Sequence, residues 1–153
     1  MKRILFILSM LIGISLSATA QRGLQINEVF EGKLIAKQNM QESLIKGDNL
    51  ASYKLKLLHT AKFAANDAQR DKVEALFNED MKERLSDDDS NMEMENRKGH
   101  IYYAIVQLSD KKDGTGRFIC YQCREKEKDY DITLVYMEGS ASLSHLREKF
   151  KRK

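Results

Sequence analysis

Cys120-Tyr121-Gln122-Cys123 contains both cysteines of the chain, three positions apart. That spacing suits a disulfide, a dithiol redox pair or half of a metal site. A redox pair needs its first thiolate exposed near a helix N-terminus. This pair instead follows Phe118-Ile119 in a strand-like run with no helix after it. A structural zinc site needs four ligands, and His59, His100 and His145 are scattered along the chain. Residues three apart on a regular strand are separated by about 10 Å and face opposite ways, whereas bridged Cα atoms lie within about 7 Å. Cys120 and Cys123 are therefore a candidate disulfide only if the strand bends near Tyr121 and Gln122. Unpaired thiols are the alternative.

Other chemistry is sparser. Asp87, Asp89 and Asn91 have the spacing of the first calcium-loop ligands, but Met92 stands where glycine is required and Lys98 where the bidentate glutamate belongs. The run therefore reads as a solvated acidic loop, and no metal site is expected. The sequence carries no G-x-S-x-G, no H-E-x-x-H and no phosphate-cradling glycine loop. It implies no cofactor and no catalytic residue. Tyr102, Tyr103, Tyr121 and Tyr136, with Tyr130 nearby, could line a ligand-binding face, although sheets commonly use tyrosine in their cores. His59 falls on the apolar side of its segment and reads as a satisfied or partly exposed histidine.

These residues need a scaffold. Residues 53–63 alternate apolar and polar, the pattern of a half-buried antiparallel strand. Asn66 and Gln69 form a capping-box pattern ahead of an apolar stripe with Val73, Leu76, Phe77 and Met81, so a helix should run to Leu85 or Ser86. Residues 86–98 read as an acidic connecting loop. Residues 100–108 are apolar on both faces and suit a central strand. Asp113-Gly114 turns the chain into a partner strand, and residues 132–137 supply a third. Gly139 ends that strand. Ser142 caps a last helix with Leu143, Leu146 and Phe150 on one side. Residues 21–49 are the least patterned, with an extended segment near Val29 and Phe30 and a short strand near 40–45. The expected fold is a single α+β domain. Its sheet has four or five mostly antiparallel strands, with two helices packed on one face.

The chain has 153 residues and a formal charge of +3. Lys2 and Arg3, an apolar run over residues 4–16 and Ala18-Thr19-Ala20 have the order of a cleavable secretory signal. The run is short for a bilayer core of about 30 Å. Residues 1–20 are therefore read as a signal peptide and residues 21–153 as the mature domain, exported to the periplasm or beyond and without a transmembrane segment. A retained N-terminal anchor is the alternative. Cleavage would remove two of the three excess positive charges with Lys2 and Arg3, leaving no general attraction for nucleic acid. A basic tail remains at residues 149–153.

Ala18-Thr19-Ala20-Gln21 resembles the signal endings of exported Bacteroidetes proteins. LVYMEGSASLSHLREKF, residues 134–150, resembles the end of small uncharacterised exported domains from those bacteria, and LASYKLKLLHTAKF, residues 50–63, fits the same pattern. The resemblance implies an envelope location and a single domain, and it brings no function with it. The leading expectation is a noncatalytic domain that binds an envelope protein or surface component. The alternatives are a small periplasmic enzyme (a hydrolase or thiol-disulfide oxidoreductase) and a structural accessory domain. A pocket holding His59 or His100 beside a carboxylate would favour the enzyme.

Overall fold

The alternating run at 53–63 forms the second strand of a computed structural model that describes residues 23–150. The signal read at residues 1–20 and the last three basic residues lie outside the described residues. The described residues form six strands: β1 Met40–Lys46, β2 Leu55–Ala65, β3 Met92–Arg97, β4 His100–Leu108, β5 Gly116–Glu125 and β6 Tyr130–Gly139. They make one sheet in the order β1-β2-β6-β5-β4-β3, and every neighbouring pair is antiparallel. β3 to β6 are a meander, and β2 joins it by pairing with β6.

Among the described residues three α-helices accompany the sheet: α1 Asn27–Phe30, α2 Asp67–Asp80 and α3 Leu143–Lys149. The α2 capping box forms as its sequence implies. Asn66 Oδ1 accepts from the Gln69 N–H at 2.9 Å, and Gln69 Oε1 accepts from the Asn66 N–H at 3.0 Å. Two of the otherwise orphaned donors at the helix start are thereby satisfied. Val73 and Phe77 of α2 are fully buried, and Val29 and Phe30 of α1 lie in the same core. That core occupies one sheet face, with Ala61 and Phe63 of β2, Ile119 and Tyr121 of β5, and Leu134 and Tyr136 of β6. Phe77 meets Tyr121 with ring centroids 5.5 Å apart. Full burial of each large side chain there contributes about 1.5–3 kcal/mol before entropy is set against it.

The α+β class and the antiparallel sheet agree with the sequence, and α1 and α2 pack together on one face of it. Four details differ. The α2 helix stops at Asp80 and tightens into a 3-10 turn, Met81–Glu83, short of the expected end at Leu85 or Ser86, because Arg84 leaves the helix to bridge Leu108 of β4. The sheet has six strands, because the segment expected to be an acidic loop at 86–98 contains β3. Met92 and Met94 turn to the core while Glu93 and Glu95 face the other way, a period-two pattern obscured by the density of acids. The segment at Val29 and Phe30 is a helical turn, not extended chain. Finally, α1 and α2 share one face, while α3 covers part of the other. There Leu143 and Leu146 pack with Ile105, Phe118 and Met137. These strand residues alternate with those of the first core, so the face follows from the pleat.

Gly139 marks the close passage of β6 beside the start of β2. A Cβ at Gly139 would stand 2.6 Å from Leu55 Cα and closer still to the Lys54 carbonyl oxygen. That oxygen accepts from the Ser140 and Ala141 N–H groups at 3.0 and 3.1 Å, which starts the turn into α3. Ser142 then caps α3, its Oγ accepting from the His145 N–H at 3.1 Å.

Candidate functional site

The β3–β4 turn is tight, because Arg97 pairs with His100 across only Lys98 and Gly99, both at positive φ. It projects beyond the sheet next to the end of β5, the start of β6 and the first turns of α2. Between them lies a groove of about 930 Å³. The turn and β4 contribute Arg97, Lys98, His100, Ile101 and Tyr102. Cys123, Arg124 and Glu125 come from β5, Tyr130 from β6 and Arg70 from α2.

Two guanidinium groups are laid on tyrosine rings in this groove. Arg97 Cζ is 3.4 Å from the Tyr102 ring centroid, and Arg70 Cζ is 4.4 Å from that of Tyr130. A guanidinium over a ring face is held by the ring quadrupole. Carboxylates fix the same groups from the side. Arg97 Nε donates to Glu95 at 2.8 Å, and Arg70 Nε and Nη2 donate to Asp71 at 3.1 and 2.9 Å. Lys98 pairs with Glu125 at 3.1 Å. Arg124 forms no ion pair among the described residues; Asp131, its partner across the ladder, pairs with Lys126. The lining therefore presents four permanent cations to one carboxylate, with further acids behind it. Oriented N–H forks of this kind match the oxygens of carboxylates and phosphates.

His100 stands at the groove wall. Its Nδ1 is 3.1 Å from Glu74 Oε2, while Glu74 Oε1 accepts from the Ile101 N–H at 3.2 Å. Glu74 thus ties α2 to β4 as well as facing the imidazole. Sequence reasoning named His100 but could not pair it with a residue 26 positions away on α2. It also missed Arg70, Arg97 and Arg124, since isolated arginines carry no motif.

The remaining candidates are dispersed. Of the four tyrosines proposed as one binding face, only Tyr102 is in the groove. Tyr103 points to the opposite sheet face, into a cavity of about 150 Å³ with Cys120 and Gln122. Burial pushes the Tyr103 phenol up to about 12. Tyr121 and Tyr136 are fully buried. The Tyr136 hydroxyl donates to Glu138 at 2.7 Å, while that of Tyr121 has no hydrogen-bond partner among the described residues. Alternation along the strands separates them.

Cys120 and Cys123 are free thiols. The disulfide considered from sequence is not formed, because β5 pairs with both neighbours without a register shift through this stretch. Cys123 therefore packs in one core and Cys120 against the other. Burial pushes the Cys120 thiol up to about 12 and raises that of Cys123 as well, the opposite of what a nucleophilic thiol needs.

The chain matches a family of unknown function, DUF6108, over residues 13–150. It belongs to that family. No curated protein and no solved structure matches it. In this DUF6108 chain no group of three or more His, Cys, Asp or Glu among the described residues could hold a metal ion. Residues 87–91 instead form a short turn in which the Asp88 side chain accepts from the Ser90 N–H at 3.0 Å and Asn91 donates to Ser86. His59 is nearly buried on β2, with Nε2 2.6 Å from Glu42 Oε1 and its ring 4.2 Å from that of Phe30. Burial lowers its pKa despite the Glu42 partner. Among the described residues, no helix is long and apolar enough to cross a membrane.

Proposed function

We propose that this DUF6108 domain is a noncatalytic binding module. Its ligand is an envelope component bearing carboxylate or phosphate groups, held in the groove at the sheet end. The observation that carries this reading is the pair of guanidinium groups seated on Tyr102 and Tyr130 beside Arg124, which has no ion-pair partner among the described residues. Their positions are set before any ligand arrives, which lowers the ordering cost of binding. The signal-like residues 1–20 and the likeness to exported Bacteroidetes domains support work outside the cytoplasm. The test is affinity purification from the native envelope, comparing wild type with an Arg97→Ala/Arg124→Ala double variant. A partner retained by wild type, lost by the variant and released by salt supports the reading. Equal retention by both proteins refutes it.

A hydrolase is the second reading, favoured by His100 beside Glu74 in the groove wall. The imidazole would serve as general base, with its Nε2 facing a substrate water. The groove residues include no activated nucleophile, and Glu74 also has a structural hydrogen bond to account for its place. Ester or phosphoester turnover abolished by His100→Ala in a folded protein would displace the binding reading.

A further inference from the structure

The two edges of the sheet differ. At the β3 edge the ladder slips between Glu95 and Asn96. A bulge of this kind turns an edge away from other strands. β1 has no such slip and no proline. It pairs residue for residue with β2, from Met40 opposite Phe63 to Lys46 opposite Leu57, and with no other strand among the described residues. Ile45, one of the few exposed large apolar side chains, lies on this edge at 38% exposure.

The outer row of β1 can be assigned. The Gly47 N–H donates to the Lys56 carbonyl at 3.2 Å, which sets the phase of the ladder. Antiparallel pairs alternate, so Gln41, Ser43 and Ile45 turn their backbone groups to β2, while Met40, Glu42, Leu44 and Lys46 turn theirs outward. The Met40 N–H is taken by the Lys37 carbonyl of the preceding 3-10 turn. At Glu42 and Leu44 the outward groups make no backbone hydrogen bond among the described residues. The outer row is therefore centred on Leu44.

We propose that β1 pairs antiparallel with β1 of a second copy, across a two-fold axis at Leu44, so that two sheets become one. In this register Glu42 stands directly opposite Lys46 on both sides of the axis, Leu44 opposite Leu44, and exposed Ile45 opposite Ser43. Opposite charges facing each other across a ladder stabilise it, and like charges destabilise it. Shifting the axis to Ser43 would set Glu42 against Leu44 and would require the Met40 N–H that Lys37 already holds. Glu42 meets Lys37 and His59 in its own protomer, and Lys46 also has a contact there, so the pairs across the axis extend clusters already formed. The complementarity selects a second copy: the strand carries both halves of the match, which an unrelated extended chain would have to supply by its own sequence. Such an isologous contact closes at two copies. One short strand from each side covers less than the about 800 Å² per partner of a standard complex, so the dimer forms only as concentration rises. This edge is formed by β1, which contributes nothing to the groove lining, and the proposal does not depend on how the groove is read.

The test is sedimentation equilibrium of the protein purified after export, over a wide range of concentration. The wild-type mass should rise from one chain towards two. Glu42→Lys and Lys46→Glu each put like charges opposite one another on both sides of the axis, and each should weaken self-association about tenfold. Mixing these two variants restores opposite charges at both positions, so the mixture should form a mixed dimer more tightly than either variant forms its own. Leu44→Pro removes an outward N–H at a position where an edge strand tolerates proline, and should abolish association. Melting curves check that each variant folds, and the charge variants decide the matter if the proline variant does not. A monomer at every concentration overturns the proposal. So do charge variants that fold and associate as wild type, a mixture that associates no better than its components, or a folded proline variant that still dimerises.

Discussion

Asp80 offers the sharpest test of how the fold is held together. It ends α2, is 3% exposed and receives the start of the described chain: Oδ1 accepts from the Gln25 N–H at 2.6 Å and Oδ2 from the Ile26 N–H at 2.8 Å. It thereby satisfies donors ahead of α1, while Leu24, Ile26, Val29 and Phe30 bury their side chains alongside. Burial outweighs both hydrogen bonds and raises the carboxyl pKa from 3.8 to about 6; Glu83 adds to the rise and Arg117 opposes it. A carboxyl with a raised folded pKa binds its proton more tightly in the native state. Its contribution is complete below the unfolded value and is lost as pH rises through the folded one. The two values differ by about two units, and each unit is worth ~1.4 kcal/mol. Asp80→Asn removes this titration. The stability of wild type minus that of Asp80→Asn should therefore fall by about 3 kcal/mol between about pH 4 and about pH 7. Urea unfolding followed by circular dichroism at several pH values measures that difference. A difference that stays flat, or that rises with pH, would show that the two N–H bonds outweigh burial and that the physical assignment is wrong.

Leu146→Ala should destabilise by about 2–5 kcal/mol, because Leu146 is fully buried under α3, whereas Lys149→Gln should stay within about 0.5 kcal/mol; thermal melts of the two variants compare them directly. Gly139→Ala should lower stability by more than ~1 kcal/mol and shift amide signals near Lys54 and Leu55, because the new Cβ has no room there; a neutral melt would contradict the close approach. Thiol titration on protein purified without reductant should find Cys120 and Cys123 unreactive while folded and both reactive after unfolding. Failure to recover two thiols in denaturant would reinstate the disulfide. Replacing both cysteines by serine should leave the fold intact.

Much of the scaffold is local and was legible for that reason. The Asn66–Gln69 cap, the alternation through β2, the Asp113-Gly114 turn and the Ser142 cap each depend on residues a few positions apart. β3 was hidden because two methionines among acids make a weak alternating signal, and an edge strand needs only one buried row. The single turn of α1 is too short to declare itself by periodicity, and its place depends on Asp80, more than fifty positions away.

The sequence by itself determined the class of the domain, the approximate places of its principal strands and helices, and the geometric obstacle to a Cys120–Cys123 bridge. These follow from side-chain periodicity, capping and strand spacing, which are properties of neighbouring residues. Only the tertiary structure decided which face α3 covers, how four tyrosines divide between groove, core and opposite face, and which arginines converge. Strand order is set by how α2 crosses the sheet to bring β3 to the far edge. Through that order Arg70, Arg97 and Arg124, drawn from three separate elements, come to line one groove.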